Sequence, residues 1–118
     1  MKLLKHLSPM FVIVLPLLSA DHEIVQSDRT FSKSEITVKV GDQIVFKNDD
    51  EVTHNVYSIT PGMGFDLKRQ APGASSTVPF TKEGTAEVQC SIHPKMKLIV
   101  VRHVLKPTHP PVSSEVCA

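Results

Sequence analysis

Residues 90 to 96 read CSIHPKM, so a thiol, an imidazole and a thioether fall at Cys90, His93 and Met96 with two residues in each gap. Each of these side chains has an ordinary place in a folded chain: cysteine and methionine as small or pliable apolar fillers, histidine as a hydrogen-bonded surface group. The spacing makes the three of them a set. Pro94 discourages helix and favours a turn, and a short turning loop can direct three donors to one point. A further imidazole, His54, opens the segment HNVYSI and can supply a fourth donor if that segment begins a strand on the same side of a β-sandwich.

The donor set selects the ion. Two imidazoles and one thiolate with a weak axial thioether form a trigonal site of the kind that carries electrons on copper. Structural zinc more typically recruits two or more thiolates, although it is chemically possible in the same pocket. Four protein donors leave no open position for substrate. No His-x-His pair is present for additional coppers, and no Ser, His and Asp arrangement stands out. The chain is therefore expected not to be an enzyme.

These donors must be held by a small scaffold. The chain has 118 residues, 41% of them hydrophobic, with nine prolines, no tryptophan and one tyrosine, which fits one turn-rich domain. From residue 23 onward, short alternating segments are broken by Gly, Pro, Asn or Asp about every eight to twelve residues, the pattern of an all-β sandwich. In ITVKV, Ile36, Val38 and Val40 share a face. Gly41 and Asp42 then turn the chain into QIVFKN, and the pair is expected to form a hairpin. STVPFT and TAEVQC are expected to form a second one, with Ala86, Val88 and Cys90 on its apolar face. The stretch from Thr60 to Ser76 reads as a long excursion, and KLIVVRHVL as the last strand. The expected fold is a Greek-key β-sandwich of about seven to eight strands.

The ends read differently. MKLLKHLSPMFVIVLPLLSA places Lys2 and Lys5 before nine apolar residues, Met10 to Leu18, and closes on Ser19 and Ala20, as in a secretory signal peptide. Nine residues span roughly 14 Å as a helix against a hydrocarbon core of about 30 Å, so the segment cannot cross a bilayer alone. The alternative is an uncleaved, membrane-associated N-terminus. The division expected is a signal peptide over 1–20, the folded domain over 21–105 and a loose tail over 106–118, with export to the periplasm or beyond and no stable membrane insertion after cleavage. Cleavage after Ser19 would instead expose Ala20, Asp21 and His22, whose amine, amides and imidazole could bind Cu(II) in a square plane.

Formal charge is +1, and losing Lys2 and Lys5 makes it −1. That balance supplies no basic stripe for nucleic acid. Both cysteines lie in the exported part, where a Cys90–Cys117 disulfide is the plain alternative to metal binding, but the Pro- and Ser-rich tail gives Cys117 no reason to be pinned to a core. Asp49, Asp50 and Glu51 read as a charged turn, and Lys68 and Arg69 as a solvated face; none is given a role.

The stretches FSKSEITVKVGDQIVFKN, THNV, FTKEGT and CSIHPKM resemble the cupredoxins of the plastocyanin class, and the gap between His93 and Met96 is most similar to that of the amicyanins. The resemblance covers roughly Ile24 to Arg102. It implies one type 1 copper ion with His54, Cys90 and His93 equatorial and Met96 axial, and hydrogen bonds from Asn55 and Ser91 tying the two ligand segments together. It also implies a monomeric carrier of single electrons between redox proteins, dehydrogenase or cytochrome-like, with His93 as the exit. Lys95 departs from the aromatic residue of amicyanins and would put charge where an apolar patch docks methylamine dehydrogenase. A copper carrier or buffer without electron transfer would use the same ligands.

Overall fold

The computed structural model describes residues 9, 10, 12 and 19–104. The expected signal segment lies largely, and the expected 106–118 tail with Cys117 wholly, outside the described residues.

Among the described residues nine strands form two sheets: β1 (Asp21–Ser27), β2 (Thr30–Phe31), β3 (Glu35–Lys39), β4 (Gln43–Asn48), β5 (His54–Ser58), β6 (Phe65–Gln70), β7 (Ser75–Pro79), β8 (Gly84–Cys90) and β9 (Lys97–His103). One sheet has the order β2-β1-β4-β7 and the other β3-β9-β8-β5-β6. Alternation decides which side chains meet between them. Ile24, Ile44, Phe46 and Val78 come from the first sheet, and Ile36, Val38, Val56, Ala86, Val88, Leu98 and Val100 from the second; all are buried. Each large side chain sealed in this way contributes about 1.5–3 kcal/mol. The all-β sandwich expected from the alternation is the fold observed.

Both expected hairpins are corrected. β3 pairs in parallel with β9, while β4 pairs with β1 and β7, so the Gly41–Asp42 turn carries the chain from one sheet to the other. β7 and β8 likewise belong to opposite sheets. An arch across a core and a hairpin within a sheet both reverse the chain and both show alternation, so turn residues alone do not separate them. What makes the first an arch is visible at Asp42. Its carboxylate accepts the Lys39 N–H at 3.0 Å, the Ala20 N–H at 2.9 Å and His22 Nε2 at 2.9 Å, fastening the turn to the start of β1. Burial pushes the Asp42 carboxyl up, but these hydrogen bonds and the Lys39 charge outweigh it and hold it at about 2.

The expected excursion after Thr60 contains β6. Phe65 and Leu67 pack against the core, but the alternation breaks at Lys68, which takes a left-handed φ of 58° where β6 bulges opposite β5.

A buried polar layer joins the sheets near one end. Gln26 Nε2 donates to Gln70 Oε1 at 2.7 Å, Gln70 Nε2 to the Phe46 carbonyl at 3.1 Å, and Asn48 Nδ2 to the carbonyls of Gln70 and Val52, both at 2.9 Å. Gln70 is paired in register with His54, so this layer lies beside the first residue of β5 in the same sheet.

Candidate metal centre

β5 and β8 are antiparallel neighbours with Val56 opposite Cys90, which brings the start of one strand beside the end of the other. β8 and β9 pair from Gln89 opposite Lys97, so residues 90 to 96 form the loop between them at the same end. The loop turns tightly: the Met96 N–H reaches the His93 carbonyl at 2.9 Å. His54 is 0% exposed, Cys90 and Met96 are 1% exposed, and His93 is partly open to solvent.

Three of the four residues singled out in the sequence converge. Cys90 Sγ lies 3.8 Å from His54 Nδ1 and 3.9 Å from His93 Nδ1, and the two Nδ1 atoms are 3.1 Å apart. A point equidistant from these atoms lies roughly 2.1 Å from each, against metal–nitrogen bonds of about 2.0–2.1 Å and metal–thiolate bonds of about 2.3 Å. The triangle therefore fits one ion without rearrangement. Among the described residues Cys90 has no disulfide partner, and its thiol is buried. The loop carries the Met96 side chain into the core.

The surroundings suit a thiolate. The Asn55 N–H points at Cys90 Sγ at 3.4 Å, supplying a backbone donor to the sulfur. Ser91 Oγ donates to Asn55 Oδ1 at 2.6 Å, the link between ligand segments that the family resemblance implied. Asn55 Nδ2 in turn donates to Asp66 Oδ1 at 2.8 Å and to the Lys68 carbonyl at 2.9 Å, so the β6 bulge is part of the support.

Asp50, given no role from sequence, meets the centre. Its Oδ2 lies 2.9 Å from His54 Nε2 and also accepts the Arg29 N–H at 2.8 Å. The Arg29 N–H, then the His54 hydrogen bond and the Glu51 N–H, outweigh burial and hold the Asp50 carboxyl at about 2. An ionised carboxylate only accepts, so this contact suits the Nε2–H tautomer, whose Nδ1 can serve as the donor atom toward Cys90 and His93. The available sequence signal was spacing, an acid four residues before a histidine across a turn. His22, the other histidine considered for copper, is held by Asp42 instead.

A two-sheet sandwich holding a His, Cys, His triangle at one end defines a type 1 copper class. A family model for copper binding proteins, plastocyanin/azurin family, matches residues 19–102. The chain belongs to this family, the cupredoxins, and copper is its cofactor. It is 32% identical over 76 residues to the methylamine utilization protein MauL of Methylophilus methylotrophus, a match covering 62% of this chain and 44% of that one, so the chain spans less than half of that relative. Among solved structures it resembles a reduced tryptophan-to-tyrosine variant of amicyanin (25% identity, TM-score 0.64, 69% of this chain and 80% of that one). A purple cupredoxin from Nitrosopumilus maritimus is also similar (24%, TM-score 0.63, 70% and 100%). A copper-containing nitrite reductase from Thermus scotoductus shares the fold (23%, TM-score 0.66), with 70% of this chain matching 22% of that one.

Proposed function

We propose that the chain is an exported electron carrier in which His54, Cys90 and His93, with Met96 as a weak axial fourth, hold one copper ion. The observation that carries this reading is the triangle of donor atoms around a single point, with its thiol and one imidazole sealed from solvent. Bound copper supplies a one-electron Cu(II)/Cu(I) couple, to which thiolate, imidazole and thioether donors are suited.

The protein keeps those donors still. His54 is clamped between β-sheet and Asp50, Cys90 is the last residue of β8, and Ser91 is tied to Asn55. A rigid donor set needs little rearrangement when one electron is added or removed. Four protein ligands on the ion would leave it no open position for a substrate, which favours transfer over catalysis. His93 alone among the proposed ligands reaches the surface, bordered by Ile92, Pro94 and Lys95, and it is the proposed exit toward a protein partner. The likeness to a methylamine utilization protein supports a dehydrogenase or cytochrome-like partner, and the leader-like run from Met10 to Leu18 supports the periplasm.

The test is to add Cu(II) to the protein and record the visible spectrum, with Cys90→Ser beside it. An intense thiolate-to-copper band that the substitution abolishes, together with a reversible one-electron couple, is the expected result. A colourless wild type would refute the assignment. Copper handed to an acceptor without a reversible couple would make the chain a copper carrier.

A further inference from the structure

We propose that Asp50 is a positioning residue of the centre, fixing the His54 ring through Nε2 and placing a permanent negative charge behind it that favours the more highly charged oxidation state of the bound ion. This rests on the copper reading above.

Three observations carry it. His54 is fully buried, so its Nε2–H has no water to bond, and the Asp50 carboxylate at 2.9 Å is the partner the structure provides. Asp50 is itself held in place rather than free to swing. Its Oδ2 accepts the Arg29 N–H, its Oδ1 accepts the Glu51 N–H at 2.8 Å, and its own N–H donates to Asn48 Oδ1 at 2.9 Å. Arg29 in turn belongs to the tight β1–β2 turn, where Asp28 and Arg29 take φ of 50° and 57°. A backbone donor from the opposite sheet therefore braces the carboxylate against the ligand ring. A carboxylate behind a metal-binding histidine fixes its tautomer and ring angle and raises its basicity. Because the side chain of Asp50 is mostly withdrawn from solvent, its charge is poorly screened. The neighbouring Asp49 differs: it is half-exposed and paired with Lys47 at 3.3 Å.

Two measurements test this. In the metal-free protein, long-range proton–nitrogen NMR of His54 is expected to show the proton on Nε2, and Asp50→Ala to redistribute it between the two nitrogens. In the copper-loaded protein, Asp50→Asn, close in shape but neutral, is expected to lower the ratio of Cu(II) to Cu(I) affinity about tenfold, a rise of about 59 mV in midpoint potential. Asp50→Glu should recover most of that change, and Asp49→Asn should produce little of it. Arg29→Gly keeps the bracing N–H and suits the left-handed φ, so it should leave the tautomer alone. The proposal is overturned if Asp50→Asn has the potential of the wild type, if Asp49→Asn shifts it equally, or if metal-free wild-type His54 carries its proton on Nδ1. A wild type that takes up no copper overturns the copper reading itself, a failure the metal-free NMR tells apart from a misassigned carboxylate.

Discussion

Ser91 Oγ lies 2.6 Å from Asn55 Oδ1, so the residue after the proposed thiolate ligand is bonded to the residue after the first proposed imidazole ligand. The pair closes the ligand loop onto β5. Asn55 also holds β6 through Asp66 and Lys68, which makes it the hub where two strands and the loop meet. A partly exposed hydrogen bond of this kind contributes about 0.5–1.5 kcal/mol. Ser91→Ala is expected to cost that much stability and to speed copper loss to a chelator. Asn55→Ala should cost more on both counts, because it frees β6 as well. Urea midpoints of the metal-free variants and chelation rates of the loaded ones check this.

The Asp42 carboxyl gives a separate expectation for acid. It sits at about 2 in the folded chain, below the ordinary aspartate range near 3.9, so its contribution is present above about pH 4 and fades as pH falls toward 2. Asp42→Asn should lower stability at neutral pH and flatten the loss between about pH 4 and 2 relative to wild type. Urea unfolding followed across that range measures it. A wild type whose stability is level over the window would contradict the bonding around the arch.

The Gln26–Gln70 bond ties the two sheets together next to His54. Gln70→Leu leaves Gln26 Nε2 and the Phe46 carbonyl without their partner inside the core, and each orphaned group costs about 1–3 kcal/mol. The expected loss is about 2–4 kcal/mol in urea unfolding. Because Gln70 is the cross-strand partner of His54, the copper band of the variant should also broaden as the strand beside the ligand loosens. Gln26→Leu should be milder, since Gln26 Oε1 is already without a partner among the described residues.

The difference between what the chain announces and what it conceals has a physical origin. Cys90, His93 and Met96 are legible because one short loop carries them, and side-chain type plus spacing is enough to suggest a shared ion. The inward faces of β3, β4, β8 and β9 are legible because burial imposes period two. Partners across space leave no such trace. Gly41 and Asp42 announce a reversal, yet only the pairing of β3 with β9 shows that the turn spans the sandwich. β6 was hidden because the bulge at Lys68 interrupts its alternation. Asp50 looked like one acid among three in a turn, and only the fold separates it from solvent-facing Asp49 by bringing the Arg29 N–H and the His54 ring to the same oxygen.

The surface around His93 carries the last expectation. Ile92 is 49% exposed beside it, Pro94 and Lys95 are exposed, and Arg29 lies across a hollow of about 440 Å³ from the loop. If electrons leave through the His93 edge, a small anionic oxidant should be drawn to this end of the molecule. Lys95→Glu reverses one charge within the loop and should slow that oxidation by roughly threefold at low salt, because local charge raises or lowers the encounter rate. The difference should shrink as salt brings the screening length to about 8 Å. With a cationic oxidant the sign should invert, and at Lys82, a lysine on the segment before β8, the same reversal should have a smaller effect. Stopped-flow rates over an ionic-strength series separate these cases. Equal effects at both lysines would mean that net charge, and not the His93 edge, governs the reaction.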